Sequence, residues 1–258
     1  MNVSDVMTSE VITIDKDRNL KDVLHLMEQH GITKIPVTEE GKLVGIVTDG
    51  VIADKLGRAH NKNIQTATLH ASSVMIKDFV MAHPDESLAN LLADVGKPGL
   101  TMIPVCRGDN LVGVVTKADL LGLVKAEQPV SEFMQQELHA VGPSERLVHA
   151  RRLILDHDVA RLPVLDEGVV KGIIAEHEIA GAFAAFKEAD PHVQRVNVRD
   201  MQVGDYMRTN VVTAGPDTSA AAAAQMMMDH QVGALPIVDD GTIKGIVTRT
   251  DLIRTVEA

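Results

Sequence analysis

Two stretches of this sequence place a hydroxyl and a carboxylate three residues apart: Thr116-Lys117-Ala118-Asp119 and Thr248-Arg249-Thr250-Asp251. A Thr at a helix start sets its hydroxyl beside backbone N–H groups that lack a partner within the helix, which suits a phosphate or other anion. An Asp three residues on shares the helix face and offers two acceptor oxygens, a match for two adjacent hydroxyls such as those of a ribose. The same spacing is close to the capping box, whose effect is only to satisfy orphan donors. These residues alone leave both readings open.

Other reactive chemistry is thin. Eleven His are present, but there is no H-x₃-H on a helix and no CxxC, and Glu176-His177-Glu178 alternates directions, so no metal centre is expected. No nucleophile with a nearby base, Gly-rich phosphate loop or paired catalytic carboxylates emerge, and the expectation is a protein that is not an enzyme. The single cysteine, Cys106, excludes an internal disulfide. A formal charge of −11 disfavours a phosphate backbone as partner, and 2% aromatics with no Trp disfavour base-stacking platforms. No apolar run approaches a bilayer span and no secretory signal opens the chain, so no membrane role and a cytoplasmic location are expected.

The elements that must position the two Thr/Asp pairs come from an internal repeat. Pro36, Pro104, Pro163 and Pro236 are each followed nine residues later by Gly45, Gly113, Gly172 and Gly245. Around them run KIPVTEEGKLVGIVT, MIPVCRGDNLVGVVT, RLPVLDEGVVKGIIA and ALPIVDDGTIKGIVT, and 32 residues before each Pro stand SDVM, SSVM, SEFM and GDYM. The second to fourth copies are offset from the first by 68, 127 and 200 residues.

Within a copy, Val11 to Ile14 reads as a strand and Leu20 to Gln29 as a helix with Leu20, Val23, Leu24 and Met27 on one face, ended by Gly31. Lys34 to Val37 and Leu43 to Val47 read as a hairpin, with a second helix after Thr48. In the third copy that helix extends over Ile179 to Ala189, before Asp190-Pro191 stops it. The run Ala220 to Ala224 with Met226, Met227 and Met228 reads as a helix packed through small and adaptable residues. A β-α-β-β-α unit of this size cannot bury its apolar faces alone, so units must pack in pairs through their sheets.

The G-I-x-x-[ILV]-P-[VI] pattern, Gly31 to Val37 in the first copy, with the GIVT strand ends at constant spacing, resembles the CBS domain. The whole chain looks like four tandem CBS domains, an α/β (α+β) fold of two Bateman modules. The resemblance implies module 1 at 1–124, with repeats about 3–57 and 71–124, and module 2 at 125–258, with repeats about 130–189 and 203–258. It is closer to stand-alone four-CBS proteins than to the nucleotide-sensing gamma subunits of AMP-activated kinases.

The resemblance implies a non-catalytic regulatory or sensor protein that binds an adenosyl ligand between paired repeats, with a structural module or a nucleic-acid-binding regulator as alternatives. Thr116 and Asp119 would face Ile12, Ile32, Thr33 and Ile35. Thr248 and Asp251 would face His139, Val159, Ala160 and Leu162. Lys117, Arg249, Lys34 and Arg161 are candidate phosphate contacts, which favours AMP, ADP or ATP over the cationic S-adenosylmethionine. The other two copies depart from the pattern. Thr48-Asp49-Gly50-Val51 puts its carboxylate two positions too early, a rotation of about 200°. Ala175-Glu176-His177-Glu178 lacks the hydroxyl and carries a longer acid, which puts that pocket in doubt. Flat disks formed within one chain or by a homodimer, and an unidentified regulated protein, complete the expectations.

Overall fold

The structure is a computed structural model that describes residues 1–57, 66–95, 102–188 and 197–256. The first copy contains β1 (Ile14–Asp15), α1 (Leu20–His30), β2 (Lys34–Glu39), β3 (Lys42–Thr48) and α2 (Asp49–Gly57). The second contains α3 (Ala71–Val74), α4 (Leu88–Val95), β4 (Met102–Arg107), β5 (Asn110–Thr116) and α5 (Lys117–Leu120). The third contains α6 (Leu147–Asp156), β6 (Arg161–Asp166), β7 (Val169–Ala175) and α7 (Glu176–Glu188); the fourth α8 (Ala220–Asp229), β8 (Ala234–Asp239), β9 (Thr242–Thr248) and α9 (Arg249–Ile253).

Local chemistry explains these boundaries. The Asn19 side chain accepts from the Asp22 amide to start α1, and Gly31 ends it at φ 62°, a left-handed conformation that Gly adopts without strain. Leu20, Val23 and Met27 are buried along one stripe of α1. Glu40-Gly41, Glu167-Gly168 and Asp240-Gly241 all have positive φ at both positions, the turn that matches the twist of a two-residue hairpin. In α8 the buried face is Ala220, Ala223, Ala224 and Met227.

The first strand is shorter than its sequence predicts. In the first copy only Ile14 and Asp15 pair with Val37 and Thr38, and in the others single bridges join Ala82 to Val105, Val141 to Val164 and Ala214 to Ile237. The chain upstream is committed elsewhere: Thr8 exchanges both backbone hydrogen bonds with Val114 of the second copy, at 2.9 Å each. Helix α7 begins at Glu176, three residues earlier than predicted, and the predicted stop at Asp190-Pro191 lies outside the described residues.

The recurring Met and Gly are the two halves of one contact. A Cβ on Gly113 would stand 2.6 Å from the Met7 sulfur, and one on Gly45 2.6 Å from that of Met75. Met134 lies in the same way over Gly245, and Met207 over Gly172. Copies one and two therefore clasp each other reciprocally, as do copies three and four. Only a residue without a side chain lets the flexible thioether reach the strand backbone.

Helices close the assembly in the other direction. Ile52, Ala53 and Leu56 of α2 share a core with Ile179, Ala180 and Phe183 of α7, joining copies one and three. Arg151 reinforces that seam with bonds to the Ala53 and Asp54 carbonyls at 3.2 and 3.1 Å and an ion pair to the Asp54 carboxylate. Helices α5 and α9 meet likewise, with Leu120 and Ile253 in one core and Leu121 and Leu252 in another. The four copies thus form a ring within the chain: sheet contacts join one to two and three to four, and helices join one to three and two to four. Among the described residues no helix is long and apolar enough to cross a membrane.

Candidate ligand-binding site

Each Met that clasps a partner strand delivers the next residue to the start of the partner's second helix. Thr8 follows Met7, and its hydroxyl donates to Asp119 Oδ1 at 2.8 Å. Gln135 follows Met134, and its Nε2 donates to both Asp251 oxygens at 3.1 and 3.2 Å. Arg208 follows Met207 and donates from Nε to Glu178 Oε1 at 2.5 Å. The fourth member of the set is Ile76, the counterpart of these three, across from the copy that carries Val51. Sequence reading missed all of these partners. Their common signal was the position after the repeated Met, whose own contact lies in another copy.

The carboxylates of Asp119 and Asp251 each use Oδ2 for their own helix start. Oδ2 of Asp119 accepts from the Thr116 amide and hydroxyl, both at 2.7 Å; Oδ2 of Asp251 accepts from the Thr248 amide at 2.8 Å and hydroxyl at 2.6 Å. These are capping contacts; they leave Oδ1 of Asp119 to the paired copy alone, whereas Gln135 of the paired copy reaches both oxygens of Asp251. Capping and ligand recognition are therefore compatible roles of one side chain. Both Thr hydroxyls are spent on their own Asp, and α5 and α9 have only four and five residues. Positive field at these positions comes from side chains more than from helix dipoles. A cavity of about 270 Å³ adjoins Asp251, lined by Gln128, Phe133, Arg254 and Thr255 as well.

The predicted apolar walls separate into two groups. Ile35 and Leu162 expose no surface, and the core accounts for both. Ile12, Ile32, Thr33, His139 and Val159 are half-buried, and Ala160 is exposed. His139 stacks on His157 with ring centres 3.5 Å apart.

Lys34, Lys117, Arg161 and Arg249 converge, with Asp49 and Glu176 among them. Burial lowers the pKa of Lys34 despite the attraction of Asp49, and burial, with Lys34 and Arg161 next, lowers that of Lys117. Burial also works against the charge of Arg161. Arg249 is brought down to about 10 by burial and then by Arg161, and it stays charged at neutral pH. Burial pushes Glu176 up to about 7, with Asp49 adding to the rise; burial also raises Asp49, with Lys34 opposing. Glu178 also acts on Arg161, Asp251 on Lys117 and Asp119 on Arg249, so the four cations share the centre with carboxylates from all four copies, of which Glu176 is half neutral near pH 7. Among the described residues, Arg249 Nε is a fully buried donor without a hydrogen-bond partner, while its Nη2 reaches the Val232 carbonyl at 3.1 Å.

Two glycines make room for this cluster. A Cβ on Gly233 would fall 2.3 Å from an Arg161 guanidinium nitrogen, and one on Gly50 2.3 Å from a Glu176 oxygen. Neither glycine was singled out by the sequence pattern, because its use is set by side chains from other copies. Among the described residues no group of three or more His, Cys, Asp or Glu is placed to hold a metal ion.

Comparison with known proteins agrees with this architecture. The protein MJ1225 of Methanocaldococcus jannaschii is 26% identical over 274 aligned positions, covering 95% of each chain. Its crystal structure superposes with a TM-score of 0.86 at 22% identity, over 98% of this chain and 99% of that one. A conserved protein of Pyrococcus horikoshii matches over the full length of both chains, with a TM-score of 0.63 at 20% identity. CBSX2, solved in complex with AMP, is 28% identical over 49% of this chain and 94% of its own, with a TM-score of 0.43. The CBS-domain family model matches residues 3–58, 71–126, 130–185 and 203–258, most of the sequence, and the chain belongs to the CBS-domain family.

Proposed function

We propose that this protein is a non-catalytic sensor that binds two adenine nucleotides, one in each of two modules spanning 1–124 and 125–258. Asp119 with Thr8 would hold the ribose of the first, against Ile12, Ile32 and Thr33. Asp251 with Gln135 would hold that of the second, against His139, Val159 and Ala160. Lys34, Lys117, Arg161 and Arg249 would take the phosphates. The regulated partner would respond to how occupancy changes the ring, because a ligand shifts a protein only through differential affinity for its states.

The observation that carries this reading is the gathering of Lys34, Lys117, Arg161 and Arg249 from all four copies into one half-buried cluster, with the Arg249 Nε donor unpaired among the described residues. Like charges gathered away from water are costly unless an anion joins them. A phosphate supplies that anion, and the sulfonium of S-adenosylmethionine does not. MJ1225 is described as a proposed archaeal homolog of g-AMPK, which is in keeping with nucleotide sensing. Mass spectrometry of small molecules released from freshly purified protein tests the reading. AMP, ADP or ATP in the released fraction is the expected result. Protein that carries no adenosyl compound and shows no calorimetric response to any of the three is a scaffold instead.

A further inference from the structure

The first residue of the second helix alternates in sign around the ring. It is Asp49 in α2 and Glu176 in α7, but Lys117 in α5 and Arg249 in α9. Because α2 packs on α7 and α5 on α9, the two acids share one seam and the two cations share the other. Backbone bonds fix both acids in place: the Asp49 amide donates to the Thr33 carbonyl at 3.0 Å and the Glu176 amide to that of Ala160 at 3.1 Å. The Glu176 carboxyl then lies against Gly50, where a Cβ would collide with both of its oxygens. Only glycine leaves room for a second acid beside Asp49.

The two acids differ in what supports their charge. Asp49 accepts from the Gly50 amide at 2.9 Å, whereas among the described residues Glu176 has no such hydrogen bond. Asp49 from α2 and Asp158, just before β6, oppose a charge on Glu176, while Lys34 from β2 and Arg161 from β6 favour it. His177, its neighbour in α7, acts on Asp49. With burial as the largest influence, the balance leaves Glu176 at about 7. Lys34 and Arg161 are therefore shared, since they stabilise this carboxylate and are also the cations assigned to phosphate. An anion that occupies them repels Glu176 and weakens its support, and both effects favour the protonated acid. By linkage the proton tightens the anion by the same factor.

We infer that a phosphate-bearing ligand and a proton on Glu176 enter the centre together, so that the protein responds to pH as well as to nucleotide. This inference rests on the proposed function for the identity of the ligand, and it adds a regulator of that site. The proton comes from solvent and adds to a carboxylate oxygen of Glu176. Affinity falls as pH rises through neutrality, by at least about fivefold over the full titration.

Calorimetric titration of the full chain with AMP at pH 7.5, in buffers of different ionisation enthalpy, counts the protons taken up. The wild type is expected to take up about half a proton per chain. A phosphate monoester, with a second pKa of about 6, is already ionised there and can only release protons on meeting cations. Lys34 and Lys117, which burial pushes down, can also take up protons. Glu176→Gln separates them, because Gln keeps the shape of the protonated acid and cannot titrate. The variant should lose that half proton and bind AMP at least about fivefold more tightly than the wild type at pH 8.5; a melting temperature no lower than that of the wild type shows that it folds. Carbon-13 NMR of labelled Glu side chains gives a readout that needs no variant: one carboxyl should move toward its protonated position as AMP is added at pH 7.5. AMP binding without that movement, or with proton uptake unchanged in Glu176→Gln, overturns the coupling and leaves the nucleotide reading standing. Pyrophosphate that binds with Glu176-dependent uptake, where AMP, ADP and ATP do not bind, keeps the coupling and ends the nucleotide reading. If neither pyrophosphate nor any of the three nucleotides binds, both fail.

Discussion

The Thr8 hydroxyl donates to Asp119 Oδ1 across 111 residues of sequence, at 2.8 Å. That bond closes the seam between the first two copies at the point where the Asp carboxylate leaves its own helix cap. Its counterparts at Gln135–Asp251 and Arg208–Glu178 occupy the same position in the repeat and differ in donor, from hydroxyl to amide to guanidinium. The graded donors give each junction a different resistance to a ligand hydroxyl that competes for the same oxygen.

Asp119→Ala and Asp251→Ala should each weaken one nucleotide site by roughly 10- to 150-fold, from the loss of about 1.5–3 kcal/mol of charge-assisted bonding. Val51→Ala should do nothing comparable. Each Ala variant also loses the N3 half of its capping box, the carboxylate that accepts from the Thr amide, a hydrogen bond worth about 1 kcal/mol of stability. Isothermal calorimetry reads the first effect and denaturant unfolding the second. A double variant that binds two equivalents with unchanged affinity would return both residues to capping alone.

Gly113→Ala should destabilise the chain by about 1–3 kcal/mol, because the new methyl meets both the Met7 sulfur and the Thr8 carbonyl, 3.1 Å away. The methionine can bend aside, but the backbone of Thr8 cannot without leaving Val114. Gly122→Ala, where nothing lies within 4 Å of the added carbon, serves as the control. Urea unfolding of the two variants should separate them by at least about 1 kcal/mol.

Stability should fall as pH rises from about 4.5 to about 7, through Glu176. Its folded-state pKa of about 7 lies above the ordinary 4.5, so the folded chain binds the proton more tightly than the unfolded one. The unfolded state binds fewer protons across that window, and the slope of unfolding free energy against pH is negative. The full contribution is on the order of 3 kcal/mol. Glu176→Gln should flatten that part of the profile and be the more stable protein above pH 7. Thermal melts in steps of pH would show it; parallel profiles for the two proteins would refute the assignment.

AMP, ADP or ATP should bind more tightly than S-adenosylmethionine, and the preference should shrink at high salt, where screening weakens the cationic centre. Arg249→Ala should reduce the preference without removing the binding of adenosine itself. Calorimetry in which S-adenosylmethionine binds at least as tightly as every nucleotide tried would show that the centre does not select phosphate.

The sequence by itself determined the four copies, their hairpins and helices and the two Thr/Asp pairs. Each depends on neighbours within a few residues, where periodicity, turn chemistry and cap spacing act directly. It also exposed the recurring Met and Gly without explaining them. Tertiary structure alone decided that Met7 rests on Gly113, that Thr8, Gln135 and Arg208 meet the three carboxylates, and that Glu178 reaches the Ala175 amide despite its longer side chain and the missing hydroxyl. It likewise gathered Lys34, Asp49, Lys117, Arg161, Glu176 and Arg249 into one centre. Periodicity reports which face of an element is buried, not which distant element covers it. Such contacts, Gln135–Asp251 across 116 residues among them, are fixed only when the copies dock, by the space a glycine leaves and the charge a neighbour brings.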